Sequence, residues 1–233
     1  MFHGKYKAVT FSYDDGVSQD VRLIELLDKY SLKATFNLNS EMFGQCCDLT
    51  VKGETVTHHI LSAQEARGLY TGHEVAVHTL THPNLTTLSD REVIRQVEKD
   101  RENLSELFGY EVCGMAYPCG GVNNDDRVAA LIRENTEIRY ARTITSNYSF
   151  DVQENLLRFN PTLSHMDTEK LFSLAEEFLA AHPTRDQIFY IWGHSYELDA
   201  ADGWETLERF CKLISGKEDI FYGTNREVLL GGH

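Results

Sequence analysis

Hydrophobic positions along this chain alternate between short β-branched runs and stretches with helical periodicity. The first run covers residues 7–13, and at residues 18–30 it is followed by a stretch in which Val21, Ile24 and Leu27 recur every third residue. The same pattern predicts further strands at residues 33–38, 74–77, 111–117, 138–144 and 187–192. It predicts further helices at residues 62–70, 89–108, 125–134, 168–181 and 204–214.

The regular alternation of strand and helix predicts the fold class. It is typical of βα units around a parallel sheet, and about seven such units are present. No linker, low-complexity tract or internal repeat interrupts them, which favours one domain. Residues 44–60 and 195–203 are interpreted as loops, and the His58–His59 pair in the first of them is interpreted as solvated.

Polar residues follow several of the predicted strands, and this favours a closed or nearly closed barrel over an open sheet. In a (β/α) barrel the carboxyl ends of all strands converge on one mouth, whereas an open sheet gathers only those near its switch point. The residues concerned are Asp14, Asp15, His78, Pro118, Cys119, Arg142 and His194. We therefore expect an α/β fold, a distorted TIM-barrel-like (β/α) barrel of about seven parallel strands.

The composition restricts the class of protein and its partners. Of the 233 residues, 42% are hydrophobic and 25% are charged, which is the balance of a globular protein rather than of a disordered or coiled-coil chain. The formal net charge of −14 disfavours nucleic acid and anionic membranes as partners. The pattern makes no prediction of the oligomeric state.

The N-terminal residues and the cysteines bear on the compartment. Residues 1–6 lack the basic and apolar regions of a secretion signal, and the sequence has no run of about 18 apolar residues. Five cysteines, with Cys46 next to Cys47, disfavour a disulfide framework and fit a reducing compartment. We therefore expect a cytoplasmic protein, with a secreted protein that has lost its signal as the alternative.

Two pairs of residues have the chemistry of metal ligands. Asp14 and Asp15 end the first predicted strand, and the repulsion between adjacent carboxylates is relieved by a cation; a turn in which an aspartate caps the helix is the alternative. His78 and His82 lie four residues apart, on one face of a helical turn, and can bind one metal ion. Surface histidines without a metal also occur at this spacing.

Asp15, His78 and His82 together form a set of two imidazoles and one carboxylate that leaves coordination positions open, as a catalytic metal requires. Such a metal polarises a carbonyl group and lowers the pKa of bound water to about 7. Asp14 then remains free to act as general base. His194 follows an apolar strand and is placed to protonate a leaving amine as general acid, with a structural histidine as the alternative.

The fourth predicted strand ends in the run at residues 116–121, which closes with Pro-Cys-Gly-Gly. Glycines let backbone N–H groups approach a ligand, so the Cys119 N–H is a candidate to hold a developing oxyanion. A tight turn without a chemical role is the alternative. His165 follows another short run that is compatible with a strand, and it is a further candidate for the mouth.

These motifs together resemble the polysaccharide deacetylase family, the NodB-homology domains of carbohydrate esterase family 4. The first motif is Thr-Phe-Ser-Tyr-Asp-Asp-Gly at residues 10–16, and the second is His-Thr-Leu-Thr-His-Pro at residues 78–83. The third ends in Pro-Cys-Gly at residues 118–120, and the fifth is Ile-Trp-Gly-His at residues 191–194. The motifs stand in the family's order, and residues 1–233 are interpreted as a single domain of this kind.

The resemblance implies a barrel that hydrolyses the N-acetyl group of an amino sugar or short oligosaccharide, or less often an O-acetyl group, and releases acetate. It implies one divalent metal ion, zinc first with cobalt or nickel as alternatives, held by Asp15, His78 and His82. It implies Asp14 as general base and His194 as general acid. The residues expected at the substrate or oxyanion are Tyr117, Pro118, Cys119, Arg142 and Trp192.

Three positions depart from the family's pattern. The arginine that the family often carries before the proline of the third motif is Ala116 here, and Arg142 is the candidate to supply its charge, with a surface salt bridge as the alternative. The aromatic residue after that proline is Cys119, which removes a platform for sugar stacking. The fourth motif, which orients the general-acid histidine, lacks a clean counterpart, and Asp151 is the nearest candidate.

Other functions stay open at this point. A ureide or cyclic amide hydrolase on the same scaffold would be favoured by loss of a metal-binding histidine. A catalytically silent carbohydrate-binding protein would be favoured by replacement of Asp14 or His194. A glycosidase would need a second acid across the mouth, for which Glu197 and Asp199 are candidates, but it would leave the histidine pair unexplained.

Overall fold

A computed structural model describes residues 1–200 and 202–231, and its strands and helices alternate over most of the chain. Within those residues the strands are β1 (Lys7–Asp14), β2 (Ala34–Leu38), β3 (Cys46–Val51), β4 (Glu54–His59), β5 (Glu74–Val77), β6 (Gly114–Ala116), β7 (Tyr140–Arg142), β8 (Leu163–Ser164), β9 (Gln187–Gly193) and β10 (Ile220–Tyr222). The α-helices are α1 (Asp20–Lys29), α2 (Ala63–Leu69), α3 (Asp90–Phe108), α4 (Asp126–Asn135), α5 (Thr168–Ala180), α6 (Gly203–Ile214) and α7 (Asn225–Leu230).

Seven parallel strands form a curled sheet in the order β7-β6-β5-β2-β1-β9-β8, and β10 pairs with the first half of β1. The segment that carries β8 also reaches the opposite edge of this sheet. Phe159 bridges to Arg142 of β7, and Leu163 pairs with Ile191 of β9. Both edges are therefore joined through one short segment, and the prediction of a distorted barrel of about seven parallel strands is confirmed.

The strands at the centre of the sheet are covered on both faces. Every residue of β1 and of β2 is buried, which is the pattern of parallel strands packed between two layers. On the helix side, the rings of Phe11 and Phe189 pack against Phe210 of α6 with centroids 6.1 and 5.9 Å apart. This packing fixes the strands, and with them the residues that follow their carboxyl ends.

Residues that commonly mark helix ends stand at the start of α2 and at the end of α3. Ser62 caps α2 in a reciprocal capping box with Glu65, as the spacing predicts. Helix α3 ends at Gly109, whose φ of 74° lies in the left-handed region that glycine adopts readily. None of the helices in the described ranges has the length and apolar character needed to cross a membrane.

The interpretation of residues 44–60 as a loop is wrong for most of that segment. Strands β3 and β4 pair antiparallel, and Lys52 and Gly53 form the turn between them with φ of 50° and 85°. Two consecutive left-handed residues are what a type I′ hairpin turn requires. The sequence carried the signal, because β-branched runs lie on both sides of the Lys-Gly pair. An antiparallel bridge between Val17 and Ile60 fastens the end of the hairpin beside the barrel mouth.

Candidate active site

The residues that follow the carboxyl ends of β1, β5, β6, β7 and β9 surround one cavity of about 270 Å³. Its wall is formed by Asp14, Asp15, His78, His82, Tyr117, Cys119, Gly120, Ile144, Trp192, His194 and Tyr196. The sequence predicts a barrel in which the carboxyl ends of the strands meet at one mouth, and the structure shows them meeting at this cavity. The structure thus brings most of the predicted site residues together.

Asp15, His78 and His82 each place one ligand atom within 4.8 Å of the others. The Nε2 atoms of His78 and His82 both lie 3.7 Å from Oδ1 of Asp15. This is too long for a hydrogen bond but close to the roughly 3.3 Å that separates two ligands on one tetrahedral metal ion. The donor set therefore fits a divalent metal ion held by two imidazoles and one carboxylate.

Groups behind His78 fix its tautomer and its position. Its Nδ1–H donates to the carbonyl oxygen of Ala116 at 2.9 Å, so Nε2 keeps its lone pair for the cavity. Burial lowers the pKa of His78 to about 4, which keeps the ring neutral at pH 7. Asp100 accepts the His78 backbone N–H at 3.2 Å, and the Asn39 amide donates to the carbonyl oxygens of His78 and Thr79.

Asp15 uses its two oxygens differently. Oδ1 faces both imidazoles of the ligand set, whereas Oδ2 lies 3.0 Å from Nε2 of His58. Burial opposes ionisation of Asp15, but the hydrogen bond to His58 and the nearby imidazoles outweigh burial and hold its pKa well below the usual range. His58 is only 9% exposed, so its interpretation as a solvated residue is wrong. His58 is buried because its segment forms the β3–β4 hairpin rather than a loop, and the hairpin turns this ring towards the mouth.

Four residues other than glycine have left-handed backbones around the mouth. The φ angles are 76° at Asp15, 70° at Thr79, 58° at His82 and 68° at Cys119. Such conformations cost about 1–3 kcal/mol each and persist where the surrounding structure holds them, most often at functional sites. They occur within five residues of the ends of β1, β5 and β6, where the chain leaves the barrel.

Asp14 forms a buried ion pair with Arg142. One nitrogen of the guanidinium donates to both carboxylate oxygens at 2.5 and 2.6 Å, and the Asn37 amide donates to Oδ1 at 2.8 Å. Arg142 is fully buried, donates from Nε to the Ser12 hydroxyl at 3.1 Å and lies 4.6 Å from the centre of the Trp192 ring. The alternative of a surface salt bridge is therefore wrong, and a positive charge stands beside Asp14.

The Asp14 carboxylate lies between the ligand set and the predicted general acid. Its Oδ2 is 3.9 Å from Nε2 of His78 and 3.9 Å from Nε2 of His194. The ring of Tyr196 packs on His194 with centroids 5.0 Å apart. A small molecule in the cavity would thus be close to the Asp14 carboxylate and to the imidazoles of His78 and His194 at the same time.

Glu197 stands behind His194 and holds it. Its Oε2 accepts the His194 backbone N–H at 2.9 Å, lies 3.4 Å from the ring nitrogen Nδ1, and lies 2.9 Å from Nε2 of His165. The Tyr13 hydroxyl is 3.2 Å from the other nitrogen of His165. Only glycine fits at Gly193, because a Cβ there would lie 2.5 Å from the His165 ring. His165 is therefore buried behind Glu197, and it is not among the residues that line the cavity.

The electrostatics favour a charged His194. Burial alone would lower its pKa, but the Glu197 carboxylate, with smaller contributions from Asp15 and Asp14, outweighs burial and raises the pKa to about 9. Burial likewise opposes the charge of Glu197, yet His165 and His194 hold the pKa of that carboxyl well below its usual range. At pH 7 the pair is accordingly an imidazolium and a carboxylate.

The assignment of Asp151 as the residue that orients His194 is wrong. Its carboxylate is exposed and pairs with Arg185 at 2.8 Å. Its backbone bridges to Gln187 at the start of β9, whereas His194 follows the end of that strand, about 20 Å away at the usual rise per residue. Glu197 takes the place beside His194 instead. The sequence holds one signal for this role, because Glu197 lies three residues after His194.

The third motif supplies part of the cavity wall. Tyr117 and Cys119 line the cavity, Pro118 is buried between them, and the Tyr117 hydroxyl donates to the carbonyl oxygen of Leu157 at 2.8 Å. Burial raises the pKa of the Cys119 thiol, which disfavours a thiolate. On the opposite wall the Trp192 indole N–H is buried and has no hydrogen-bond partner among residues 1–200 and 202–231. The role of the Cys119 N–H as an oxyanion donor stays a prediction.

Comparison with known sequences points to one family. The sequence profile described as polysaccharide deacetylase matches residues 3–137, which is more than half of the chain. A peptidoglycan-N-acetylglucosamine deacetylase of Listeria monocytogenes is 30% identical over 119 residues, which are 50% of this chain and 22% of that protein. The chain thus matches less than a quarter of the length of this relative.

Comparison with solved structures shows the fold. A family 4 carbohydrate esterase from Streptomyces lividans, solved in complex with acetate, has a TM-score of 0.56 at 14% identity, over 94% of this chain and 92% of that one. A family 4 pseudoenzyme from Bacillus anthracis has a TM-score of 0.56 at 18% identity, over 96% of this chain and 65% of that one. The same barrel therefore occurs in a protein named as an esterase and in one named as a pseudoenzyme.

Proposed function

The chain belongs to the polysaccharide deacetylase family, and from this premise we propose that it is a metal-dependent hydrolase that removes acetyl groups from an N-acetylated amino sugar or short oligosaccharide. The observation that carries the proposal is the position of Asp14, whose Oδ2 lies 3.9 Å from both His78 of the ligand set and His194. A base, a metal ligand and an acid thus face one cavity. The products would be acetate and the free amino sugar.

Asp15, His78 and His82 would hold the divalent metal ion, with zinc first and cobalt or nickel as alternatives. Two imidazole nitrogens and one carboxylate oxygen are donors that zinc takes at catalytic sites, where three protein ligands leave a position for water or substrate. When bound, the ion supplies Lewis-acid polarisation of the acetyl carbonyl and makes water more acidic.

Asp14 acts in this proposal as the general base. Two donors, Arg142 and Asn37, hold its carboxylate in one orientation, so little reorganisation is needed when the proton arrives. It takes one proton from the attacking water, whose oxygen forms the new bond to the carbonyl carbon. Proton transfer of this kind contributes typically about 10²–10⁴-fold to the rate.

His194 acts as the general acid. Its Nε2, on the cavity side of the ring, donates a proton to the amide nitrogen of the sugar as the carbon–nitrogen bond breaks. Glu197 stabilises the charged ring before that step, since its Oε2 lies 3.4 Å from Nδ1. The Glu197 carboxylate thus favours the protonated form of the acid.

The aromatic walls of the cavity bear on substrate recognition. Cys119 replaces the aromatic residue that follows the third-motif proline, but Trp192 and Tyr196 line the cavity on the side of His194. We infer that a sugar ring or its acetamido group contacts these two side chains rather than the third-motif turn.

An acetate-release assay tests the proposed function. The panel contains N-acetylglucosamine, its short oligomers, peptidoglycan fragments and O-acetylated xylan fragments, each with added zinc or cobalt and after removal of metal by a chelator. We expect release from an N-acetylated substrate that stops on chelation, returns with metal and is absent in His78→Ala. If the protein binds metal but releases acetate from none of these substrates, its substrate would be a different amide. If it binds no metal and releases no acetate, the alternative of a catalytically silent carbohydrate-binding protein would be favoured.

Replacing Glu197 with glutamine is expected to move the alkaline limb of the kcat–pH profile to lower pH by about one unit or more. The acid form of His194 is present below its pKa, so activity falls as the pH rises through that value. Without the carboxylate, burial lowers the pKa of His194. A divalent cation nearby lowers this pKa in both proteins, so the difference between them is what the experiment measures.

The matched control is Glu205→Gln, which changes an exposed glutamate at the start of α6. Its pH profile should superpose on that of the wild type. An alkaline limb that stays in place when Glu197 is replaced would show that another group limits activity at high pH.

A further inference from the structure

The β3–β4 hairpin brings a third imidazole, His58, to the edge of the ligand set. Two hydrogen bonds fasten the backbone on either side of this residue to the segment that follows Asp15 along the chain. The Gln19 amide donates to the carbonyl oxygen of Thr57 at 2.8 Å, and the Ser18 N–H donates to the carbonyl oxygen of His59 at 2.8 Å. The position of His58 is therefore set from both of its neighbours.

The ring of His58 is held on three sides. Its Nε2 lies 3.0 Å from Oδ2 of Asp15, and its Nδ1 lies 3.8 Å from the thiol sulfur of Cys47. A thiol that donates to Nδ1 matches the tautomer in which Nε2–H donates to the carboxylate. The Tyr196 ring meets it edge to face at 5.0 Å. Of these three contacts, the one with Asp15 connects the His58 ring to the proposed metal ligands.

This contact decides how Asp15 presents itself to a metal ion. Oδ2 is occupied by the hydrogen bond from His58, whereas Oδ1 faces His78 and His82 at 3.7 Å from each. A carboxylate whose second oxygen already accepts a hydrogen bond binds a metal ion through the first oxygen alone. Such outer partners fix the orientation of a ligand and raise metal affinity.

We propose that His58 is a positioning residue that holds Asp15 in a one-oxygen orientation and thereby strengthens metal binding at the site. The inference rests on the metal site of the proposed function. Neither the family's motifs nor the ligand set itself contains His58, which comes from the hairpin. Loss of an outer partner of this kind typically lowers metal affinity about 10- to 100-fold.

Direct ligation by His58 is the competing arrangement. The geometry disfavours it, because the Nε2–Oδ2 separation of 3.0 Å is that of a hydrogen bond. Among the described residues, the group of side chains whose ligand atoms converge within 4.8 Å consists of Asp15, His78 and His82. A glutamine at position 58 separates the two arrangements, since its amide nitrogen can donate to Asp15 but is a poor metal ligand.

The experiment measures the zinc dissociation constant of the metal-free protein by competition with a chromophoric chelator. The variants are His58→Ala, His58→Gln and the control His59→Ala, which removes the adjacent imidazole of the same strand. We expect His58→Ala to raise the dissociation constant about 10- to 100-fold, His58→Gln to recover most of that loss, and His59→Ala to match the wild type. Circular dichroism checks that each variant is folded.

A cobalt-substituted sample gives a second readout that a general loss of stability would not move. When Asp15 is free to bind through both oxygens, the coordination number rises, so the visible absorption of cobalt in His58→Ala should weaken relative to the wild type. His58→Gln should keep the wild-type spectrum. An alanine variant that binds zinc as tightly as the wild type overturns the proposal, and so does a glutamine variant as weak as the alanine one.

Failure of this inference is distinguishable from failure of the proposed function. If the wild-type protein binds no zinc and no cobalt, the metal site itself is absent and the deacetylase proposal fails with it. If the wild type binds zinc tightly and releases acetate while the two His58 variants bind equally well, only the role of His58 is overturned.

Discussion

Replacing Arg142 with methionine is expected to lower the free energy of unfolding by about 3–5 kcal/mol. Methionine fills a similar volume, so the main change is the loss of the charge that faces Asp14. That carboxylate is 1% exposed and receives both of its shortest hydrogen bonds from Arg142. Removing one partner of a buried ion pair leaves the other as an uncompensated charge in a medium that solvates it poorly.

A double-mutant cycle identifies the cause of this loss. In the Asp14→Asn background there is no carboxylate to leave unpaired, so Arg142→Met should cost about 2–3 kcal/mol less than it does in the wild type. The quantity measured is the free energy of unfolding in urea, supported by the midpoint of thermal unfolding, which should fall by roughly 6–20 °C in the single variant. Equal costs in both backgrounds would show that Arg142 stabilises the fold by packing alone.

The control for this prediction is Arg185→Met. Arg185 pairs with Asp151 at 2.8 Å, but both side chains are more than half exposed. Exposed ion pairs contribute at most about 1 kcal/mol, so this variant should differ little from the wild type. Comparison of the two variants thus distinguishes the effect of a buried ion pair at the site from that of an exposed ion pair on the far side of the barrel.

The base, the acid and two of the three metal ligands follow from the sequence because a simple rule places them. Asp14, Asp15, His78 and His194 each come at or directly after the end of a parallel strand, and all such ends meet at one mouth. Prediction then needs only the strands and their direction, which the hydrophobic pattern supplies. The structure follows this rule, and it gives the distances between these side chains.

The residues that support this set depend on contacts that no periodicity encodes. His58 meets Asp15 only because an unrecognised hairpin folds across the mouth, and its partner is 43 residues away in sequence. Glu197 meets His194 and His165 through the short turn after β9, whereas Asp151, the nearest candidate for the fourth motif, lies at the other end of that strand. Arg142 shows the intermediate case, because its strand was predicted but its depth of burial was not.

Replacing Asp14 with asparagine is expected to lower kcat by about 10²–10⁴-fold. Asparagine has the same shape and can still accept a hydrogen bond from Arg142, but its amide cannot take a proton from the attacking water. Asp14 is outside the ligand set, so the zinc dissociation constant should stay near that of the wild type. This combination separates loss of the base from loss of the metal, which would change both quantities.

The measurement is acetate release per folded protein at saturating metal, because the uncompensated charge of Arg142 also lowers the stability of this variant. Circular dichroism and urea unfolding give the folded fraction at the assay temperature. The control is Asp151→Asn, an exposed aspartate far from the cavity, and it should retain the wild-type kcat. If Asp14→Asn also retained it, the proton would have to go elsewhere, and the pairing of Asp14 with Arg142 would serve the stability of the barrel alone.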